Sequence, residues 1–244
     1  MGEYIEMNKK WKNSFGLILI VCIFSLALNG YMAVWGGYID KALAKVGLKE
    51  YEPPTDWTLV SWKSSLEAMD YDADIVFFGD SITRGGQWAE AFPDKAIVNL
   101  GRSGDSLSGM INRVDMIASV TPEKVFVLGG INSLTDKNSE ECIEQYRELI
   151  ETVKETVPNA ELYVQSVLPV TVDYQKNTAS NESIVNFNAE IEKLADEFGI
   201  TYINIFDLYA VDGALAPELT KEGIHLVTEA YDRWYDEIRP YVEE

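Results

Sequence analysis

From Asp74 onward the chain alternates short apolar runs with amphipathic stretches, and this alternation constrains the fold more than any other feature. The runs at 74–78, 96–100, 124–128, 161–167 and 201–205 are rich in Val, Ile, Leu and Phe. Strands covered on both faces have that composition. Between them, 139–156 carries Ile143, Tyr146, Ile150 and Val153 at helical spacing, with Val157 just beyond. The stretch 181–198 carries Ile184, Phe187, Ile191, Leu194 and Phe198 in the same way. A last helix over about 227–239 holds Tyr231, Trp234 and Ile238. Strands that alternate with helices predict a parallel sheet between two helical layers, a three-layer α/β/α sandwich. Sites in such sheets form at the carboxyl ends of the strands. Ser81, Gly104, Asn132 and the loop after residue 167 all follow predicted strand ends, so they are expected to converge.

Upstream of this pattern the chain changes character. Phe15 to Trp35 carries no charge and follows Lys9, Lys10 and Lys12. A helix of that length rises ~30 Å, enough to cross a bilayer core. The lysines favour a cytoplasmic start, with the remainder outside the cytoplasm. A cleaved signal peptide, the alternative, needs small residues before its cut. The region Ala27-Leu28-Asn29-Gly30 fits that poorly, and Val21 before Cys22 fits a lipoprotein signal poorly. The expected organisation is a cytoplasmic segment 1–14, a transmembrane anchor 15–35, a linker 36–55 and one globular domain 56–244. Pro53-Pro54 marks the end of the linker. Asp56 is then a candidate cap for a helix reaching about Met69.

Charge and residue counts exclude several functions. The net charge is −20. In residues 1–40 the three lysines cancel Glu3, Glu6 and Asp40, so the whole excess lies in 41–244. Such a surface repels nucleic acid and anionic headgroups, so no nucleic-acid partner is expected. Cys22 lies in the apolar run and Cys142 on a predicted helix, and there is no C-x-x-C pair. One histidine cannot build a histidine-rich metal site. Neither metal nor organic cofactor is expected.

That single histidine, His225, stands near the C-terminus in Thr220-Lys221-Glu222-Gly223-Ile224-His225-Leu226. Ser81 follows the first apolar run in Gly79-Asp80-Ser81-Ile82-Thr83. A serine hydroxyl is a weak nucleophile at neutral pH; it needs a base, and the base needs an orienting carboxylate. Ser81, His225 and Glu222 supply one candidate of each type. Taken singly, each has a plain structural explanation: a turn can spell Gly-Asp-Ser, and a lone histidine is usually a satisfied one.

The order of four blocks is more specific. Gly79-Asp80-Ser81-Ile82-Thr83, then Asn99-Leu100-Gly101-Arg102-Ser103-Gly104-Asp105-Ser106, then Gly130-Ile131-Asn132, then Glu222-Gly223-Ile224-His225 together resemble the SGNH/GDSL hydrolase superfamily over roughly residues 56–244. The resemblance implies a flavodoxin-like five-stranded parallel sheet and serine ester hydrolysis without a cofactor. It implies an oxyanion hole from the backbone N–H groups of Ser81 and Gly104 and the side-chain amide of Asn132, with Gly101 a nearby competitor for Gly104. Two positions depart from the family pattern. Ser133 stands where Asp is usual. Glu222 replaces the Asp of Asp-x-x-His and is one methylene longer, so it either reaches the imidazole or leaves His225 to another acceptor.

Arg84 and Trp88, so close to Ser81, are expected to border the substrate, and the loop Val170–Asn181 with Tyr174 to form another wall. Trp88 has a second reading, packing of the first helix. No long apolar lid separates the blocks, which favours a short acyl group such as acetyl on an extracytoplasmic, possibly carbohydrate, ester. A lysophospholipase or thioesterase is the alternative within the superfamily. A flavodoxin-like nucleotide or flavin binder without hydrolase activity is the alternative of another class, although the first block lacks both phosphate-loop spacings.

Overall fold

The computed structural model describes residues 57–68 and 72–244. The expected anchor 15–35, the linker 36–55 and the capping residue Asp56 lie outside the described residues. Among the described residues no helix is long and apolar enough to cross a membrane. Helix α1 spans Trp57–Ala68, and Ser61–Glu244 forms one unit of the chain.

Five strands make the sheet: β1 (Ile75–Gly79), β2 (Ile97–Gly101), β3 (Lys124–Leu128), β4 (Glu161–Gln165) and β5 (Thr201–Ile203). All pairings are parallel, in the order β2-β1-β3-β4-β5. The chain leaves β1 towards β2 and then crosses to β3 on the other side. A crevice opens where the direction reverses, at the carboxyl ends of these three strands.

The five-stranded parallel sheet expected from the sequence is therefore present, and each strand begins within one residue of its predicted start. β4 and β5 each end two residues early. The cause is a side chain: Ser166 Oγ accepts from the N–H groups of Ile205 and Phe206, at 2.9 and 2.8 Å, and takes them out of the ladder.

Helices cover both faces. Short α2 (Ser81–Gly85) and α3 (Trp88–Ala91) follow β1, and α4 (Leu107–Ile111) and α5 (Asp115–Ala118) follow β2. Longer α6 (Ser139–Thr156) and α7 (Asn181–Phe198) follow β3 and β4, and α8 (Tyr231–Glu243) closes the chain. α6 and α7 begin and end where their apolar spacing predicts. Ser180 caps α7 through the N–H of Ser183, and Gly199 ends it at φ 62°. α8 begins four residues late because Thr228–Ala230 forms a tight 3₁₀ turn first.

Register aligns Phe77, Phe126 and Tyr163 across β1, β3 and β4. Their rings stack at centroid distances of 5.0 and 4.6 Å. On that face Trp88 stacks on Phe77 at 4.0 Å and meets Trp234 of α8 edge-on at 5.0 Å. Burial of such large rings is the main source of cohesion on this side.

Candidate active site

β1 ends at Gly79, and Asp80 turns the chain into α2. Asp80 caps that helix, its carboxylate accepting from the N–H of Ile82 at 2.9 Å. Ser81 is thus the first residue of a helix, held at the carboxyl end of a fully buried strand. Its backbone N–H belongs to a first turn that has no intrahelical acceptor for it.

The other end of the chain arrives at the same place. Thr220 Oγ1 donates to the carbonyl of His225 at 2.8 Å and accepts from the N–H of Gly223 at 2.9 Å. The N–H of Lys221 donates to the same His225 carbonyl at 2.9 Å. The turn is closed on itself, with Glu222 and His225 side by side. Ser81 Oγ lies 2.8 Å from His225 Nε2. His225 Nδ1 is hydrogen-bonded to Glu222 Oε1. The longer glutamate therefore reaches the imidazole. Of the two outcomes open in the sequence, the structure has the first.

Gly104 and Gly101 separate cleanly. A Cβ on Gly101 would stand 2.2 Å from the backbone nitrogen of Arg84, so this glycine lets β2 touch α2. Its N–H is taken by Asn99 Oδ1 at 2.9 Å. Gly104 sits at φ +70°, faces open space, and its N–H has no partner among the described residues. Asn132 is exposed and donates one amide hydrogen to the carbonyl of Asp105 at 2.9 Å, leaving the second free. Ser133 accepts from the N–H of Leu107 at 2.9 Å. It ties the loop after β3 to the loop after β2, despite being shorter than the expected Asp.

Beneath these loops lies a buried charge cluster. Arg113 is 1% exposed. It donates to Asp105 Oδ2 at 2.5 Å, and to the carbonyls of Leu100 and Gly79 at 2.8 Å each. One guanidinium thus joins the ends of β1 and β2 to the loop that carries Gly104. Asp80 is fully buried and its Oδ2 has no hydrogen-bond partner among the described residues. Burial pushes its carboxyl up to about 7; the N–H of Ile82 opposes this, the Asp105 charge adds to it, and His225 works against it.

Ser81, His225 and Glu222 open into a cleft of about 350 Å³, which Arg84, Ser103, Lys221, Leu226 and Tyr231 also line. A hollow of about 380 Å³ lies at the other end of the sheet, beside the start of β4 and β5, and carries none of these groups.

Residues 77–233 match the model of the GDSL-like Lipase/Acylhydrolase family, well over half of the chain. The chain belongs to that family. No curated protein matches it. Among solved structures, a Streptococcus pneumonia protein named for platelet activating factor is 25% identical, with a TM-score of 0.70 over 87% of this chain and 99% of that one. A GDSL-like lipase from Bacteroides thetaiotaomicron is 23% identical, with a TM-score of 0.64 over 76% and 97%. An acetyl xylan esterase shares the fold at 20% identity and a TM-score of 0.59, over 69% and 98%.

The protein is thus a hydrolase, an esterase of the GDSL type. This sets aside the flavin or nucleotide binder. The turn after β1 agrees: the Asp80 carboxylate already occupies the N–H of Ile82, where a phosphate would need a free donor.

Two expectations about this GDSL esterase's cleft need correction. Trp88 does not border it. The ring is 1% exposed, its Nε1 donates to the carbonyl of Thr83 at 2.8 Å, and it packs between Phe77 and α8. An aromatic ring gains more by burial than by facing water. Tyr174 is not among the residues lining the cleft. It packs behind Gly223, and Thr171 donates to the carbonyl of Gly223 at 2.9 Å, so this loop buttresses the His225 turn.

Arg84 lines the cleft as expected. Arg113, Asp105, Lys221 and Tyr231 were not legible as site residues. Arg113 has no sequence signal, because two of its three partners are backbone carbonyls.

Proposed function

We propose that the enzyme removes a short acyl group, such as acetyl, from an oxygen ester, and that Ser81, His225 and Glu222 form its triad. One observation carries this reading: three groups from opposite ends of the chain form an unbroken hydrogen-bonded series, Ser81–His225–Glu222. With its proton on Nδ1 facing Glu222, the neutral imidazole accepts from the serine hydroxyl at Nε2. Ser81 Oγ attacks the ester carbonyl as Nε2 takes its proton. The N–H groups of Ser81 and Gly104 and the free amide hydrogen of Asn132 face the oxyanion. Collapse expels the alcohol, which takes the proton from Nε2. Water then enters, gives a proton to Nε2, and releases the acid as Ser81 recovers that proton.

The short acyl group follows from the walls. Among the lining residues only Leu226 and Tyr231 are large and apolar, and both are nearly buried. A long lipid chain needs apolar surface that this cleft does not offer. A polar rim suits a hydroxylated alcohol such as a sugar. The charge-free stretch 15–35 behind three lysines supports an anchored enzyme acting outside the cytoplasm on glycan esters.

The test uses the full chain in neutral detergent with p-nitrophenyl acetate. Ser81→Ala and His225→Ala should lose turnover while keeping their circular dichroism. An organophosphonate should label Ser81. Glu222→Gln should cost ~10²–10⁴ in kcat, the scale of general acid–base catalysis and of an amide in place of a triad acid. An active Ser81→Ala overturns the nucleophile. Near-normal turnover of Glu222→Gln leaves a Ser–His dyad.

A further inference from the structure

The chain has 40 acidic and 20 basic residues, so its cations have carboxylates in excess to pair with. Among the described residues Lys63, Arg102, Arg113, Arg147, Lys176, Lys193 and Arg239 are in ion pairs. Lys124, Lys154 and Arg233 donate to backbone carbonyls. Arg84, Lys95, Lys137 and Lys221 do neither, and of these four Arg84 and Lys221 line the cleft that holds Ser81. The only carboxylate lining that cleft is Glu222, already bound to His225.

The two cations reach the cleft from different elements. Arg84 lies in the last turn of α2, three residues after the nucleophile, and its Nη1 donates to Ser103 Oγ at 2.8 Å. Ser103 immediately precedes Gly104. The guanidinium is thereby fixed beside the oxyanion loop, with most of its donors unused. Lys221 precedes Glu222, and its backbone N–H is bonded to the His225 carbonyl. Its ammonium is carried by the same closed turn that bears the imidazole.

We propose that this cleft selects esters whose alcohol portion carries an anion, a carboxylate or phosphate, held by Arg84 and Lys221. The proposal rests on the esterase reading of the same site. It makes the substrate class an acylated acidic or phosphorylated sugar rather than a neutral one. The surrounding negative surface repels such a substrate at long range. Discrimination is therefore expected from local contact inside the cleft and not from steering. A planar fork and a point charge suit either anion.

Three acetyl esters test it on the full chain in neutral detergent: those of 4-hydroxybenzoate, of 4-hydroxyphenyl phosphate and of methyl 4-hydroxybenzoate. Rates are normalised to alkaline hydrolysis of each ester. At low salt at least one anionic ester should exceed the neutral ester about three- to tenfold in kcat/KM, the scale of two exposed charge pairs. The arm that gains more identifies carboxylate or phosphate. The ratio should fall towards one in 0.5 M NaCl, and in Arg84→Gln/Lys221→Gln. Binding is read separately by titrating the Ser81→Ala protein with the three intact esters, where the same order should hold.

Equal or better use of the neutral ester at low salt overturns the proposal, as does an anion preference that survives the double substitution. If all three esters are inert and Ser81 resists the phosphonate, the esterase assignment of the site fails instead. The binding order then decides the anion proposal alone.

Discussion

Asp80→Asn should stabilise the protein in a pH-dependent way. Asp80 is fully buried, and its carboxyl is pushed from 3.8 up to about 7. Its folded value lies above its unfolded value, so between the two the folded state holds a proton that the unfolded chain has released. Stability from this group is therefore highest at acid pH, falls as pH rises from about 4 to about 7, and stays low above that. A shift of roughly three units corresponds to about 4 kcal/mol at pH 8. Asparagine keeps the oxygen that accepts from Ile82 and removes the charge. Its amide nitrogen replaces Oδ2, which has no partner, at a cost of about 1 kcal/mol or more. That cost does not depend on pH.

The variant-minus-wild-type difference in Tm should thus rise from pH 5 to about pH 7 and be level by pH 8.5. From pH 5 about two units of the shift remain, or about 2.7 kcal/mol, and for a domain of this size 1 kcal/mol moves Tm by roughly 2–4 °C, so the rise should be about 5–11 °C. Differential scanning fluorimetry of both proteins across the pH series gives this difference directly. Groups that titrate in both proteins cancel in the subtraction. A difference that stays flat from pH 5 to 8.5 would refute the claim that burial ionises this carboxylate at a cost.

Arg113→Met should destabilise the domain by about 3–5 kcal/mol, because it leaves the buried Asp105 carboxylate with only the 3.7 Å contact to Arg102 and removes the donor to the carbonyls of Leu100 and Gly79. Urea unfolding measures it, and Asp105→Asn in the same chain should restore part of the loss; a cost below about 1 kcal/mol would show that the cluster is not a structural hub. The anchored topology is checked in intact cells, where added protease should remove the domain beyond residue 56; protection of that domain, or a mature N-terminus beyond residue 30, contradicts it.

The sequence by itself determined the elements and their layering. Helices α6 and α7 fall where their apolar spacing puts them, since 3.6-residue periodicity is a local property that burial of one face enforces. Five short apolar runs become five parallel strands because a sheet covered by helices on both faces buries side chains on both sides of a strand, as in β1. Ser81, Gly104 and Asn132 each follow the end of a strand, and strand ends on one edge of a parallel sheet lie together whatever their side chains are.

Tertiary structure alone decided which polar group meets which. Glu222 in place of Asp leaves its reach open in sequence; the closed turn at Thr220 and the packing behind Gly223 bring its carboxylate to Nδ1. Trp88 reads equally as a sugar platform or as core, and the stack on Phe77 beneath α8 makes it core. Arg113, in the turn between α4 and α5, carries no signal in the sequence, and only the fold presents two carbonyls and Asp105 to it. Asp80 looks like a simple helix cap, and only the burial of its second oxygen changes its ionisation. Hydrophobic periodicity is written along the chain, whereas hydrogen-bond partners and desolvation depend on groups far apart in sequence, which the fold must first bring together.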